Sequence, residues 1–162
     1  QALLNLLAER RTGVDPVVAV ILRATNGIAY SHLVGSSGLT GYPIPEIGLT
    51  SKTGETLLDI GCSWGRWCLS AAQRGFKPVG IDPSLAAVMA ARRIARKLGL
   101  DTRYVVGDAR FLPFAEGSFD VVHSYSVLQH FAKENAKLAI GEIGRVLSSG
   151  GRAKVQMAHS VG

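Results

Sequence analysis

From residue 53 onward, short apolar runs alternate with longer stretches of helical periodicity. Thr56-Leu57-Leu58-Asp59-Ile60 reads as a buried strand that runs into Gly61, and residues 64–74 as a helix stopped by Gly75. Pro78-Val79-Gly80-Ile81-Asp82 is a second strand. Ser84 then caps a helix with apolar residues at Leu85, Val88, Met89, Ala95 and Leu98, closed by Gly99. Residues 103–106 and 119–124 are third and fourth strands. A helix over about 132–147 precedes a Gly150-Gly151 turn, and residues 153–157 make a fifth strand. Alternation of this kind predicts an α/β fold with a doubly wound, mostly parallel sheet and helices on both faces.

The first fifty residues differ. Leu3, Leu4, Leu6 and Leu7 suit a short amphipathic helix ending near Arg11. Asp15 before Pro16 is an N-cap with proline at the first helical position, and Gly27 is a fitting end. Gly35-Ser36-Ser37-Gly38 and Gly41-Tyr42-Pro43 mark loop. We therefore divide the chain into a helical appendage or lid (1–50) and an α/β binding domain (51–162).

Composition narrows the class. The 162 residues are 47% hydrophobic and 19% charged, which excludes a disordered chain and suits one core. Apolar runs such as Val17-Val18-Ala19-Val20-Ile21-Leu22 fall far short of the ~20 residues of a membrane helix. No signal-peptide pattern opens the sequence. Cys62 and Cys68 lack metal-site spacing and the histidines are scattered, so no metal is expected and a reducing, cytoplasmic setting is. The net charge of +6 is concentrated between residues 51 and 110, densest at Arg92, Arg93, Arg96 and Lys97.

The strongest local signal is Leu58-Asp59-Ile60-Gly61-Cys62-Ser63-Trp64-Gly65-Arg66, a buried strand, a glycine turn and a helix start. Ligands of open α/β sheets bind outside such strand ends. A dinucleotide fingerprint requires G-x-G-x-x-G, but its second and third glycine positions hold Ser63 and Arg66, which disfavours NAD. Asp82, 21 positions after Gly61 and at the end of the second strand, is placed to accept both hydroxyls of a ribose. Val106-Gly107-Asp108-Ala109 adds a carboxylate beside a backbone N–H, suited to the amino edge of an adenine.

At these residues the chain resembles the class I S-adenosylmethionine-dependent methyltransferases, especially the small bacterial, ubiquinone-methyltransferase-like group. The first-strand segment is similar to their first motif, and Val79-Gly80-Ile81-Asp82-Pro83-Ser84 to their second. Gly107-Asp108-Ala109-Arg110-Phe111-Leu112-Pro113-Phe114, running on to Asp120, is similar to the third, and Arg145-Val146-Leu147-Ser148-Ser149-Gly150-Gly151 to the turn before strand five. The likeness covers roughly residues 53–158. It implies S-adenosylmethionine as cofactor and S-adenosylhomocysteine as product. It also implies that Asp59 helps hold the methionine amino group, and that Gly61 and Gly65, with Cys62 and Ser63, let backbone approach the methionine and ribose. By the same resemblance Asp82 binds the ribose hydroxyls with Pro83 beside the adenine. Asp108 accepts from the adenine amino group, the Ala109 N–H faces the ring nitrogen, and Ser124 lies near the methionine end. Ser63 stands where the family usually has a second glycine, and Trp64 where it has a small residue. Two further strands normally follow the fifth, so we expect this chain to be a piece of something longer.

The resemblance implies methyl transfer to a small-molecule acceptor. An RNA or protein acceptor and a non-catalytic S-adenosylmethionine-binding module are the alternatives. No catalytic residue is assigned. Asp120 is expected to be a turn carboxylate, and Trp64, Trp67, His123 and His130 to be structural. Tyr125 is a candidate at the acceptor site, and Tyr30 and Tyr42 are candidates to cover the cofactor. The Arg92–Lys97 cluster is expected to be a solvated helix face rather than a nucleic-acid patch. Strand five, with one charge and no proline, is expected to be an exposed edge open to self-association or to a strand donated from residues 28–34.

Overall fold

In a computed structural model, residues 14–24, 41–52 and 54–157 are described. The expected helix ending near Arg11, the expected stop at Gly27 of the helix that begins at Pro16, Tyr30 and the strand donor at 28–34 lie outside them. Among the described residues, four α-helices and five strands follow in the order α1 (Pro16–Ala24), β1 (Thr56–Ile60), α2 (Arg66–Gln73), β2 (Lys77–Asp82), α3 (Leu85–Leu98), β3 (Arg103–Val106), β4 (Phe119–Tyr125), α4 (Lys133–Val146) and β5 (Leu147–Gln156). One sheet holds all five strands in the order β3-β2-β1-β4-β5, and every pairing is parallel. None of the described helices is long and apolar enough to cross a membrane.

Strand alternation splits the core into two layers. Leu58, Ile60, Ile81 and Val122 face α4 through Ala139, Ile143 and Val146. Leu57 and Val121 face the other way, toward Trp67 and Ala71 of α2. On that side α3 contributes Val88, Ala91 and Ile94, and α1 adds Val18, Ala19 and Leu22 to the same cluster. The α3 boundaries follow from local chemistry. The Ser84 hydroxyl accepts the Ala87 N–H, and Gly99 closes the last turn in a left-handed conformation.

The four basic residues of the α3 cluster are all exposed, and three of them have partners. Arg93 forms a two-pronged ion pair with Asp15 at 2.8 and 3.2 Å. Lys97 Nζ lies 5.7 Å from the centre of the Tyr42 ring, and Arg92 donates to the Tyr104 carbonyl on the edge strand β3. Burial works against the Asp15 charge, but the Arg93 guanidinium and the Val17 N–H carry its carboxyl below its ordinary value.

Strand β5 departs from its sequence reading. It starts at Leu147, straight out of α4, and the Gly150-Gly151 pair lies inside it rather than before it. Phe119 pairs with Leu147, yet Val121 pairs with Arg152, so β5 carries extra residues against β4. The glycines fit that bulge, since a Cβ on Gly151 would fall 2.9 Å from the Ser148 carbonyl.

Asp120 joins the sheet at its N-terminal end. Its Oδ2 accepts the Thr56 N–H at 2.9 Å and the Thr56 hydroxyl at 2.8 Å, tying β4 to the start of β1. These bonds, the backbone one first, hold its carboxyl below the ordinary 3.8. The stabilisation is therefore present above the unfolded-state value and fades as pH falls through the lowered native one. Asp120→Ala is expected to cost about 1 kcal/mol at neutral pH, and the gap from the parent protein to close in strong acid. Urea unfolding across a pH series measures both.

Candidate functional site

A cavity of about 280 Å³ opens at the C-terminal ends of β1, β2 and β3. Ile60 and Gly61 form its floor, Ile81, Asp82 and Pro83 one side, and Gly107, Asp108 and Ala109 the next. The segment after β4 supplies the remaining wall with Ser126, Val127, His130 and Phe131. Of the residues singled out from the sequence as cofactor contacts, Gly61, Asp82, Pro83, Asp108 and Ala109 line this space.

Gly61 has to be glycine on two counts. Its φ is +70°, and a Cβ there would fall 2.3 Å from a Val127 methyl. Val127 thus closes over the turn where a side chain would otherwise stand. A sequence read along one strand at a time does not show this wall, because it is created by contact between β1 and the segment after β4.

Asp82 organises the polar side. Its Oδ2 accepts the Ser63 N–H at 2.8 Å and its Oδ1 accepts the Ser84 N–H at 2.9 Å. Burial lifts its carboxyl above the ordinary value, with the two N–H bonds pulling the other way. Two N–H donors leave lone pairs on both oxygens, since a carboxylate offers about four acceptor positions. Asp108 is more heavily engaged. Arg110 grips both of its oxygens and also donates its backbone N–H, which keeps the Asp108 carboxyl below its usual range. That fork occupies the oxygens assigned to an adenine amino group, and the motif reading did not foresee it.

The other five candidates lie outside the cavity lining. Asp59 is 0% exposed and faces the α2 side with Leu57. Its Oδ1 lies 2.9 Å from His123 Nδ1, and its Oδ2 accepts from the Cys68 thiol at 3.6 Å. Strand parity, which sends Leu58 and Ile60 toward the cavity face, sends Asp59 the other way. Asp59 therefore lies on the α2 side of β1 and is not part of the cavity lining. Cys62 is buried, with its sulfur 2.7 Å from where a Gly80 Cβ would stand. Gly65 begins α2 at φ +83° over the Tyr104 hydroxyl. Ser63 reaches the cavity through Asp82 alone, and Ser124 is fully buried with its hydroxyl unpartnered among the described residues. Burial pushes both thiols up, with further help from the Asp59 charge, so neither is a ready nucleophile.

Neighbouring candidates sort in the same way. His123 is buried against Asp59 and the Trp67 ring, whereas His130 lines the cavity. Tyr125 stacks on Trp67 at 4.9 Å, with the Arg66 guanidinium 5.5 Å from the Trp67 ring centre and 5.6 Å from that of Tyr125. Tyr42 is buried and does not cover the cavity; it packs on Trp64, with ring centres 6.0 Å apart.

Residues 57–151, more than half of the chain, match the family described as Methyltransferase domain. The chain belongs to that family. It is 36% identical over 106 residues to demethylmenaquinone methyltransferase of Thermus thermophilus, a match covering 64% of this chain and 47% of the relative. It is 36% identical over 103 residues to norajmaline N-methyltransferase of Rauvolfia serpentina, covering 62% of this chain and 35% of that enzyme. The PH0226 protein of Pyrococcus horikoshii superimposes with a TM-score of 0.62 at 30% identity, covering 64% of this chain and 49% of that one. The chain spans half or less of the length of the curated relatives it matches. Its parallel sheet is the methyltransferase fold that the motifs implied.

The Asp59–His123 contact makes its own demand on stability. His123→Ala leaves the Asp59 carboxylate buried without its partner and opens a void beside Trp67. A loss of about 3 kcal/mol is expected, read from the urea midpoint at constant slope.

Proposed function

We propose that this chain is the cofactor-binding core of an S-adenosylmethionine-dependent methyltransferase that acts on a small molecule. The observation that carries the reading is Asp82, a carboxylate with spare acceptor capacity at the rim of a cavity that has an apolar slot beside it. Its remaining lone pairs suit the two hydroxyls of a ribose. Pro83, Ala109, Val127 and Phe131 offer flat apolar surface for a purine. Asp108 serves the adenine amino group once the Arg110 fork yields one of its oxygens. The Ser124 hydroxyl, buried near the end of β4 and without a partner among the described residues, is a further polar atom suited to the methionine end.

When bound, the cofactor supplies a methyl group on a sulfonium and a neutral thioether leaving group. The chain's own task is orientation. Rigid strand ends hold the ribose and base, and the Val127–Phe131 wall excludes water from the crevice. Orientation of this kind contributes up to roughly 7–11 kcal/mol in favourable intramolecular cases. A base is useful only where the acceptor must lose a proton, so no catalytic residue is assigned.

The names of the demethylmenaquinone and norajmaline relatives support a small-molecule acceptor. Commitment of Arg93 and Lys97 to Asp15 and Tyr42 leaves a weaker electrostatic footprint for nucleic acid, which supports the same choice. Two free, buried cysteines suit a reducing, cytoplasmic setting. Self-association through the outer edge of β5 is a subsidiary proposal, supported by the exposed Val155 and Met157 there.

Calorimetry on the full-length protein tests the reading. S-adenosylmethionine and S-adenosylhomocysteine are expected to bind and NAD is not. Asp82→Ala is expected to weaken binding by about 1.5–3 kcal/mol, while Asp120→Ala leaves affinity unchanged. Tight NAD binding, or equal losses at the two aspartates, would sink the proposal.

A further inference from the structure

Ser63 and Ser126 are the two non-glycine residues with positive φ among the described residues. Ser63 has φ +50°, a left-handed conformation that a residue with a Cβ leaves unless its surroundings hold it. It cannot relax without moving the next residue. Trp64 is 1% exposed and belongs to one apolar cluster with Val14, Val18 and Tyr42 from the N-terminal part of the chain. Tyr42 is itself fastened, since its hydroxyl accepts the Asp15 N–H at 2.9 Å and Asp15 is clamped by Arg93.

We infer that Trp64 is a positioning residue: its indole, held under Tyr42 and α1, keeps Ser63 left-handed so that the Ser63 N–H points at Asp82 Oδ2. A turn of Ser63 to negative φ swings its N–H off the carboxylate and drags the indole from its cluster, so indole burial offsets the backbone strain. Through this chain of contacts the N-terminal segment sets the geometry of the carboxylate on the cavity rim, although neither Tyr42 nor Trp64 lines the cavity. The inference rests on the cofactor reading only for its ligand.

Two readouts on the full-length protein test it: affinity for S-adenosylhomocysteine by calorimetry, and hydrogen exchange of the Ser63 amide without ligand. Trp64→Ala and Tyr42→Leu are each expected to weaken binding about tenfold and to speed Ser63 exchange by a similar factor, as release of a left-handed non-glycine residue predicts. Adding Ser63→Gly to either variant is expected to bring affinity back to within about threefold of the parent, because glycine adopts this conformation without the Cβ penalty. A loss of general stability alone would not be rescued in this way. If Trp64→Ala fails to fold, the Tyr42→Leu series carries the test. Parent-like affinity and exchange in Tyr42→Leu, or no recovery with Ser63→Gly, overturns the inference. A parent protein that binds no S-adenosylhomocysteine refutes the cofactor reading, and Ser63 exchange still decides the anchor.

Discussion

The carboxylate of Asp82 holds three separate pieces of chain in one place. It ends β2, takes an N–H from the turn after β1 and takes another from the residue that caps α3. Both bonds run from neutral donors to a charged acceptor, the stronger class of hydrogen bond. With both made, the first turn and the start of α3 are fixed relative to each other, and the cavity between them has a defined width. The cost is a charge pulled out of water, visible in the raised pKa. A site that needs a pre-positioned acceptor at a strand end has to accept that desolvation.

A second buried carboxylate does different work. Asp59 is one pleat away from the cavity face, so its charge is turned inward onto His123 across the β1–β4 pair. His123 in turn packs on Trp67, and Trp67 on Tyr125. The pair therefore locks the two central strands on the α2 side while the apolar parity positions build the α4 side. Asp82 shapes the opening between strand ends, and Asp59 makes the central strands a rigid base for it. Two aspartates of the same strand parity, since Asp59 pairs with Gly80 two residues before Asp82, are separated in role by position: Asp59 lies inside β1, and Asp82 ends β2 at the cavity rim.

That distinction explains how much could be read without coordinates. Sheet class and the limits of β1, β3 and α3 were legible because each rests on a local signal: an apolar run, a serine cap or a terminal glycine. Gly61, Asp82, Pro83, Asp108 and Ala109 were legible as neighbours because parallel topology brings the C-terminal ends of successive strands together. Asp59 shares parity with Leu57, and that alternation marks its side chain for the α2 layer. The wall made by Val127, His130 and Phe131 had no local signal, since it depends on Val127 filling the space above Gly61. The extra residues in β5 were hidden for a similar reason. Gly150-Gly151 reads as a turn unless the β4 register is known.

Strain is distributed in a pattern that bears on function. The positive-φ serines at 63 and 126, like Gly61 and Gly65, sit in the segments after β1 and β4, around the mouth of the cavity. Each serine is held from outside its own segment. Ser63 is held by Asp82, and Ser126 donates its N–H to the Gln156 carbonyl and its hydroxyl to the Gln156 side chain at the end of β5. Regular strands thus supply the fixed ends, and side-chain or edge contacts hold the irregular backbone between them in conformations it would not keep alone. Flexible loops would have to be ordered by the ligand and would lose affinity to that ordering. Here the ordering is carried by the core, through Asp82 on one side of the cavity and by β5 on the other.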